Sequence, residues 1–154
     1  MDKLEKILVG VDFSACSRLA LEKAAELADS FGARIDVLHV WTAPAYIAPE
    51  AMVGFSSGGS RTLADVIRTD AEKSMQSFVT GARERGIRIE QARVEYGDPA
   101  RTLVQESEDG GYDLIAVGTH GRTGLSHFLL GSVAETVVRR ARRPVLTVRE
   151  PTTG

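Results

Sequence analysis

Five short runs rich in β-branched and apolar residues alternate along this chain with segments whose apolar residues recur at helical spacing. The runs fall at residues 6–11, 34–40, 88–95, 113–117 and 144–148. Runs of this length and composition read as strands. After the first, Ala20, Ala24, Leu27, Ala28 and Phe31 share one helical face, and Gly32 ends it. Leu63, Ile67, Ala71, Met75, Phe78, Val79 and Ala82 mark a second helix, closed by Gly86. Asp98-Pro99 opens a third with a capping carboxylate and a proline at the first helical position. That helix carries Leu103 and Val104 and ends in Asp109-Gly110-Gly111; a fourth bears Val133, Val137, Val138 and Ala141. Strands that alternate with helices predict an α/β fold, a parallel sheet with helices on both faces. The third run is more polar than the others and belongs near a sheet edge.

A length of 154 residues suits one domain, taken as residues 1–150 with a short tail at 151–154. Residues 42–60 carry neither period and hold Pro44, Pro49, Gly54 and Ser56-Ser57-Gly58-Gly59-Ser60, which reads as a flexible loop and a candidate lid. With 43% hydrophobic residues there is enough apolar material for a core. A net charge of −2 gives no overall attraction to nucleic acid or to an anionic membrane. Arg139-Arg140-Ala141-Arg142-Arg143 ends a helix, where cations complement the dipole, so it reads as a solvated face. No segment is long enough to span a bilayer, and residues 1–6 lack the apolar stretch of a signal peptide. Cys16 is the single cysteine, which rules out an intramolecular disulfide and points to the reducing cytoplasm.

The chemistry is concentrated late in the chain. Gly118-Thr119-His120-Gly121 follows the fourth apolar run, and Gly131-Ser132 stands nine residues further on, where the fourth helix opens. Glycine lets backbone approach a ligand closely. A helix start presents unpaired N–H groups and the positive end of the dipole. Together they predict a phosphate cradle, with Gly118, Gly121 and Gly131 supplying close approach and amide donors, and Ser132 a hydroxyl. Arg122 would either neutralise a phosphate oxygen with its fork of donors or point to solvent. Asp12, at the end of the first strand, would accept hydrogen bonds from ribose hydroxyls or hold a divalent metal. The turn after the first strand, Gly10-Val11-Asp12-Phe13-Ser14, lacks the glycine cluster of a dinucleotide-binding fold, and no Walker A pattern occurs.

The spacing G-x-x-G, nine residues, G-S resembles that of the ATP-binding branch of the universal stress protein family, through Gly118, Gly121, Gly131 and Ser132. Ile7-Leu8-Val9-Gly10-Val11-Asp12-Phe13-Ser14, Leu38-His39-Val40 and Arg143-Pro144-Val145-Leu146 are similar to the same family, so the likeness spans nearly the whole chain. The resemblance implies an adenine nucleotide alpha hydrolase-like fold: five parallel strands in the order 3-2-1-4-5. It further implies that Asp12 approaches the ribose, that backbone at Val40 approaches adenine, and that the glycines and Ser132 hold the phosphates of ATP beside Mg2+ or another divalent cation. Two copies would pair through the last strand, Val145 to Val148.

These expectations describe a cytoplasmic, ATP-binding regulatory homodimer. An ATP hydrolase or phosphoryl- or adenylyl-transferring enzyme is the alternative, but only His120 and Asp12 stand near the motif as candidate acid–base groups. A nucleotide-free dimeric module is the other. His39, His120 and His127 lack metal-ligand spacing and read as structural or solvated, and Cys16 reads as a small buried residue.

Overall fold

In β1 (Lys6–Gly10), Ile7 and Val9 face one way and Leu8 the other, and all three are fully buried. A strand covered on both faces needs a continuous apolar run rather than an alternating one. The computed structural model, which describes residues 3–120 and 130–151, repeats that arrangement across the sheet. The other elements are α1 (Ala15–Phe31), β2 (Arg34–Trp41), β3 (Met52–Gly54), β4 (Ser60–Thr62), α2 (Leu63–Glu84), β5 (Gln91–Tyr96), α3 (Pro99–Asp109), β6 (Leu114–Gly118), α4 (Ser132–Arg140) and β7 (Val145–Val148). β5, β2, β1, β6 and β7 lie in that order, with every neighbouring pair parallel. Counting only these five, the order is the expected 3-2-1-4-5.

Leu21, Ala24 and Ala28 of α1 join Met75, Phe78, Val79 and Ala82 of α2 over Ile7, Val9, Ile35 and Val37. On the opposite face Leu103 of α3 and Ala134 and Val137 of α4 cover Leu8, Leu38, Ile115 and Val117. Each buried leucine or valine of these layers contributes about 1.5–3 kcal/mol. Helix ends follow local chemistry. The Ser14 hydroxyl accepts from the Ser17 amide at 3.2 Å, the Asp98 carboxylate accepts from the Arg101 amide at 2.8 Å, and Gly32 closes α1 at φ 70°.

Three local expectations change. Residues 42–60 are not uniformly irregular: β3 and β4 pair antiparallel, Met52 opposite Thr62. Gly58 and Gly59, at φ 86° and 92°, supply the reversal, and Phe55 donates to the Gly59 carbonyl at 3.2 Å. Leu63 and Ala64 donate back to the carbonyls of Ala51 and Pro49, at 2.7 and 2.8 Å, which ties the hairpin to the start of α2. The third run enters the strand ladder only at Gln91, one residue after Glu90 donates to the Ile35 carbonyl at 2.8 Å, and Ile87 and Ile89 ahead of it are buried in the core. α4 buries Ala134 and Val137, leaving Val133 and Val138 exposed.

One buried polar cluster was not anticipated. Asp36 is 2% exposed, within β2. Its carboxylate accepts from the Tyr112 hydroxyl at 2.8 Å and from the Gln91 amide at 3.0 Å, and Lys6 Nζ lies 3.6 Å away. These partners meet the requirement that a buried carboxylate be paired. Among the described residues no helix is long and apolar enough to cross a membrane.

Candidate functional site

β1 and β6 are adjacent, yet the chain leaves them in opposite directions, toward β2 on one side and β7 on the other. Where winding reverses, the connections part and leave a crevice beyond the carboxyl ends of the strands. A cavity of about 260 Å³ lies there. Asp12 follows β1, Val40 lies one residue before the end of β2, Gly118 ends β6, and Gly131 and Ser132 open α4; all five line it. Gly121 and Arg122 lie outside the described residues. A larger hollow of about 680 Å³, lined by residues from the C-terminal parts of α1 and α2 and the segments that follow them, includes none of the predicted site residues. Its lining carries charges of both signs, some joined in solvent-exposed ion pairs, Arg85 with Glu22 at 3.7 Å and Arg34 with Glu90 at 3.5 Å.

The crevice has an apolar half and a polar half. Leu38, Val40, Leu103 and Val117 wall one side. Leu103 reaches this position because Gly10 has no side chain: a Cβ there would lie 2.7 Å from a Leu103 methyl. Sequence reasoning assigned α3 no part in the site. Only its sharp start at Asp98-Pro99 marks it, by seating Pro99 at the rim. On the polar side the Asp12 carboxylate already accepts from the Ser14 amide at 3.0 Å, and the Asp12 amide donates to the Ser17 hydroxyl at 3.4 Å. Asp12 is therefore both a turn-forming residue and a wall of the cavity. The turn uses only one of its two carboxylate oxygens, Oδ1.

The glycines divide their labour. Gly131 donates its amide to the Thr119 carbonyl at 2.6 Å, and a Cβ there would lie 2.8 Å from the same oxygen. Its N–H is thus spent inside the protein rather than held for a ligand, contrary to expectation. A Cβ at Gly118 would meet the backbone carbon and Sγ of Cys16 at 2.9 Å, so this glycine lets the first turn of α1 sit against β6. Thr119 donates its amide to the Val148 carbonyl at 2.9 Å, and its hydroxyl lies 2.9 Å from His120 Nδ1. Cys16 is buried and points its thiol at the Val148 carbonyl, 3.1 Å away.

The donors left for a ligand belong to α4. Side chains cap α1, α2 and α3, at Ser14, Thr62 and Asp98; the cap of α4 is Gly131, with no side-chain hydrogen bond. The amides of its first turn therefore open toward the cavity with the positive end of the helix behind them, a setting that favours an anion. The Ser132 hydroxyl stands beside them. Among the described residues no group of three His, Cys, Asp or Glu side chains converges to hold a metal.

A model of the universal stress protein family matches residues 3–149. Universal stress protein MJ0531 of Methanocaldococcus jannaschii is 32% identical over 148 residues, which make up 96% of this chain and 83% of that protein. A universal stress protein of Mycobacterium tuberculosis is 34% identical over 148 residues; the chain, matched over 96% of its length, spans 46% of it. Among solved structures, that of M. jannaschii MJ0577 superposes with a TM-score of 0.75 at 24% identity, covering 97% of this chain and 99% of the other. A universal stress protein in complex with cAMP superposes at 0.64 and 24% identity, over 94% and 95% of the two chains. An Arabidopsis thaliana family protein with AMP bound superposes at 0.61 and 24% identity, over 96% and 93%. At these identities the likeness to the solved structures is one of fold.

Proposed function

Because the chain belongs to the universal stress protein family, we propose that it binds an adenine nucleotide, ATP, in the crevice between β1 and β6 and acts as a regulator rather than an efficient catalyst. One observation carries this reading: residues far apart in the chain, Asp12, Val40, Gly118, Gly131 and Ser132, line a single cavity with an apolar half and an anion-favouring half. Structural neighbours bound to cAMP and to AMP support the choice of an adenine nucleotide.

In this reading the base lies between Leu38, Leu103 and Val117 and meets backbone at Val40. The free oxygen of Asp12 accepts from the ribose. The first-turn amides of α4 and the Ser132 hydroxyl hold phosphate oxygens, each such charged hydrogen bond contributing about 1.5–3 kcal/mol. Gly121 and Arg122 take the outer phosphates. A divalent cation such as Mg2+ fits this sparse donor set, because it keeps several waters and needs only one or two protein oxygens beside the phosphates. Asp12 and Ser132 would supply them, and the cation would neutralise phosphate charge. The protein works in the cytoplasm as a homodimer paired through β7, as a single domain over residues 1–150.

Calorimetry with ATP and magnesium, together with identification of any nucleotide that co-purifies, tests the reading. Saturable binding that Asp12→Ala weakens is expected. Absence of heat at millimolar nucleotide would sink it.

A further inference from the structure

Among the described residues only one that is not glycine has a positive φ: Phe13, at 66°. A bulky L-residue takes that conformation only where its surroundings over-determine it. Among the described residues its surroundings include two rings. The Phe13 ring lies 4.4 Å from the His39 ring at an interplanar angle of 38°, and 5.8 Å from Phe78 in an edge-on contact. Phe78 belongs to the buried face of α2, so one of the two supports is part of the core.

His39 is itself fixed to the strand it serves. Its Nδ1 lies 2.8 Å from the Val11 carbonyl, and since a carbonyl only accepts, Nδ1 carries the proton. Val11 also donates its amide to the Leu38 carbonyl at 3.0 Å. Residue 11 is thus tied to β2 through both its N–H and its C=O. Residue 13 is reversed by the ring pair, and residue 14 caps α1. Asp12 lies between these two fixed points, with its carboxylate on the Ser14 amide and its flank in the cavity wall.

We infer that Phe13 and His39 are positioning residues for Asp12: their tilted, contacting rings hold the turn after β1 reversed, and so hold the carboxylate where a ribose can reach it. The inference rests on the proposed role of Asp12 toward the nucleotide and assigns no contact between the rings and the ligand. A purely structural role for the pair would alter stability and leave ligand choice alone.

Four variants separate the two roles. Phe13→Gly accepts the positive φ without strain but removes the ring, and Phe13→Tyr keeps the ring. His39→Leu removes the donor to Val11, and His39→Asn keeps one. Binding of ATP and of 2′,3′-dideoxy-ATP is measured for each. In ligand-free protein, the Ser14 amide shift is followed by NMR through the titration of Asp12. Wild type is expected to prefer ATP, and its Ser14 amide to track the carboxylate. Phe13→Gly and His39→Leu should weaken ATP binding about tenfold with little change for the dideoxy analogue, the loss of one charged hydrogen bond. Their Ser14 amide should cease to track Asp12, while Phe13→Tyr stays near wild type and His39→Asn, which keeps a donor to Val11 but loses the ring, behaves like His39→Leu. An undiminished ribose preference, or unchanged Ser14 tracking, in Phe13→Gly and His39→Leu overturns the inference. If His39→Leu does not fold, Phe13→Gly decides alone. If wild type binds neither nucleotide, the ATP reading falls, and Ser14 tracking still decides whether the rings position Asp12.

Discussion

Gly118 and Gly131 look interchangeable in a motif, but their surroundings give them different jobs. A methyl group on Gly118 collides with the Cys16 backbone at 2.9 Å, and one on Gly131 with the Thr119 carbonyl at 2.8 Å; backbone cannot swing away as a side chain can. Both Gly118→Ala and Gly131→Ala should therefore lose about 1–3 kcal/mol of stability in urea unfolding. Only the second breaks the bond that closes residue 119 onto 131, so it should also weaken nucleotide binding; equal affinities for the two variants would contradict this division. Tyr112 supplies a second test. Burial, then its hydrogen bond to Asp36 and the Asp36 charge, push its hydroxyl from 10.0 up to about 12. The unfolded chain ionises first, so the stabilisation is complete below pH 10 and drains away as pH rises from 10 through about 12. Tyr112→Phe should flatten that alkaline decline. At neutral pH it should cost about 1–3 kcal/mol, because Asp36 is left short of a buried donor. Alkaline denaturation curves of the two proteins would show it.

Elements divide by how local their causes are. α1 and α3 begin and end where Ser14, Gly32 and Asp98-Pro99 say they should, because a cap acts within one turn. The hairpin of β3 and β4 escaped notice because its strands are three residues each and carry no period. It also leaves Tyr46, Ile47, Met52 and Phe55 exposed, so little burial holds it down. It lies at the end of the candidate lid, and we propose that nucleotide occupancy orders it. Hydrogen exchange should show the Phe55 and Gly58 amides gaining protection when ATP is added; unchanged protection would remove the hairpin from the mechanism.

Among the described residues the five-stranded sheet ends in two edge strands, β5 and β7. Unpaired edges invite another strand unless they are blunted. β5 carries Arg93 and Glu95, paired to each other at 2.9 Å, whereas Val145–Val148 has no charged residue. The proposed homodimer uses the uncharged edge. Thr147 is exposed, so Thr147→Lys should leave the monomer fold intact and set like charges against each other across a two-fold axis. Sedimentation should then shift from dimer to monomer. A wild-type protein that sediments as a monomer would remove the dimer from the proposal.

Local periodicity and capping chemistry were enough to establish a parallel five-stranded sheet between helical layers, and to locate a glycine motif at the mouth of the fourth helix. Both depend on residues a few positions apart. They did not reach the Asp36–Tyr112 bond, which joins residues 76 apart, the Leu103 wall, or the spending of the Gly131 amide on Thr119. Those contacts exist only once the packed sheet and helices bring their partners together, and no local preference encodes which distant atom a given residue will meet.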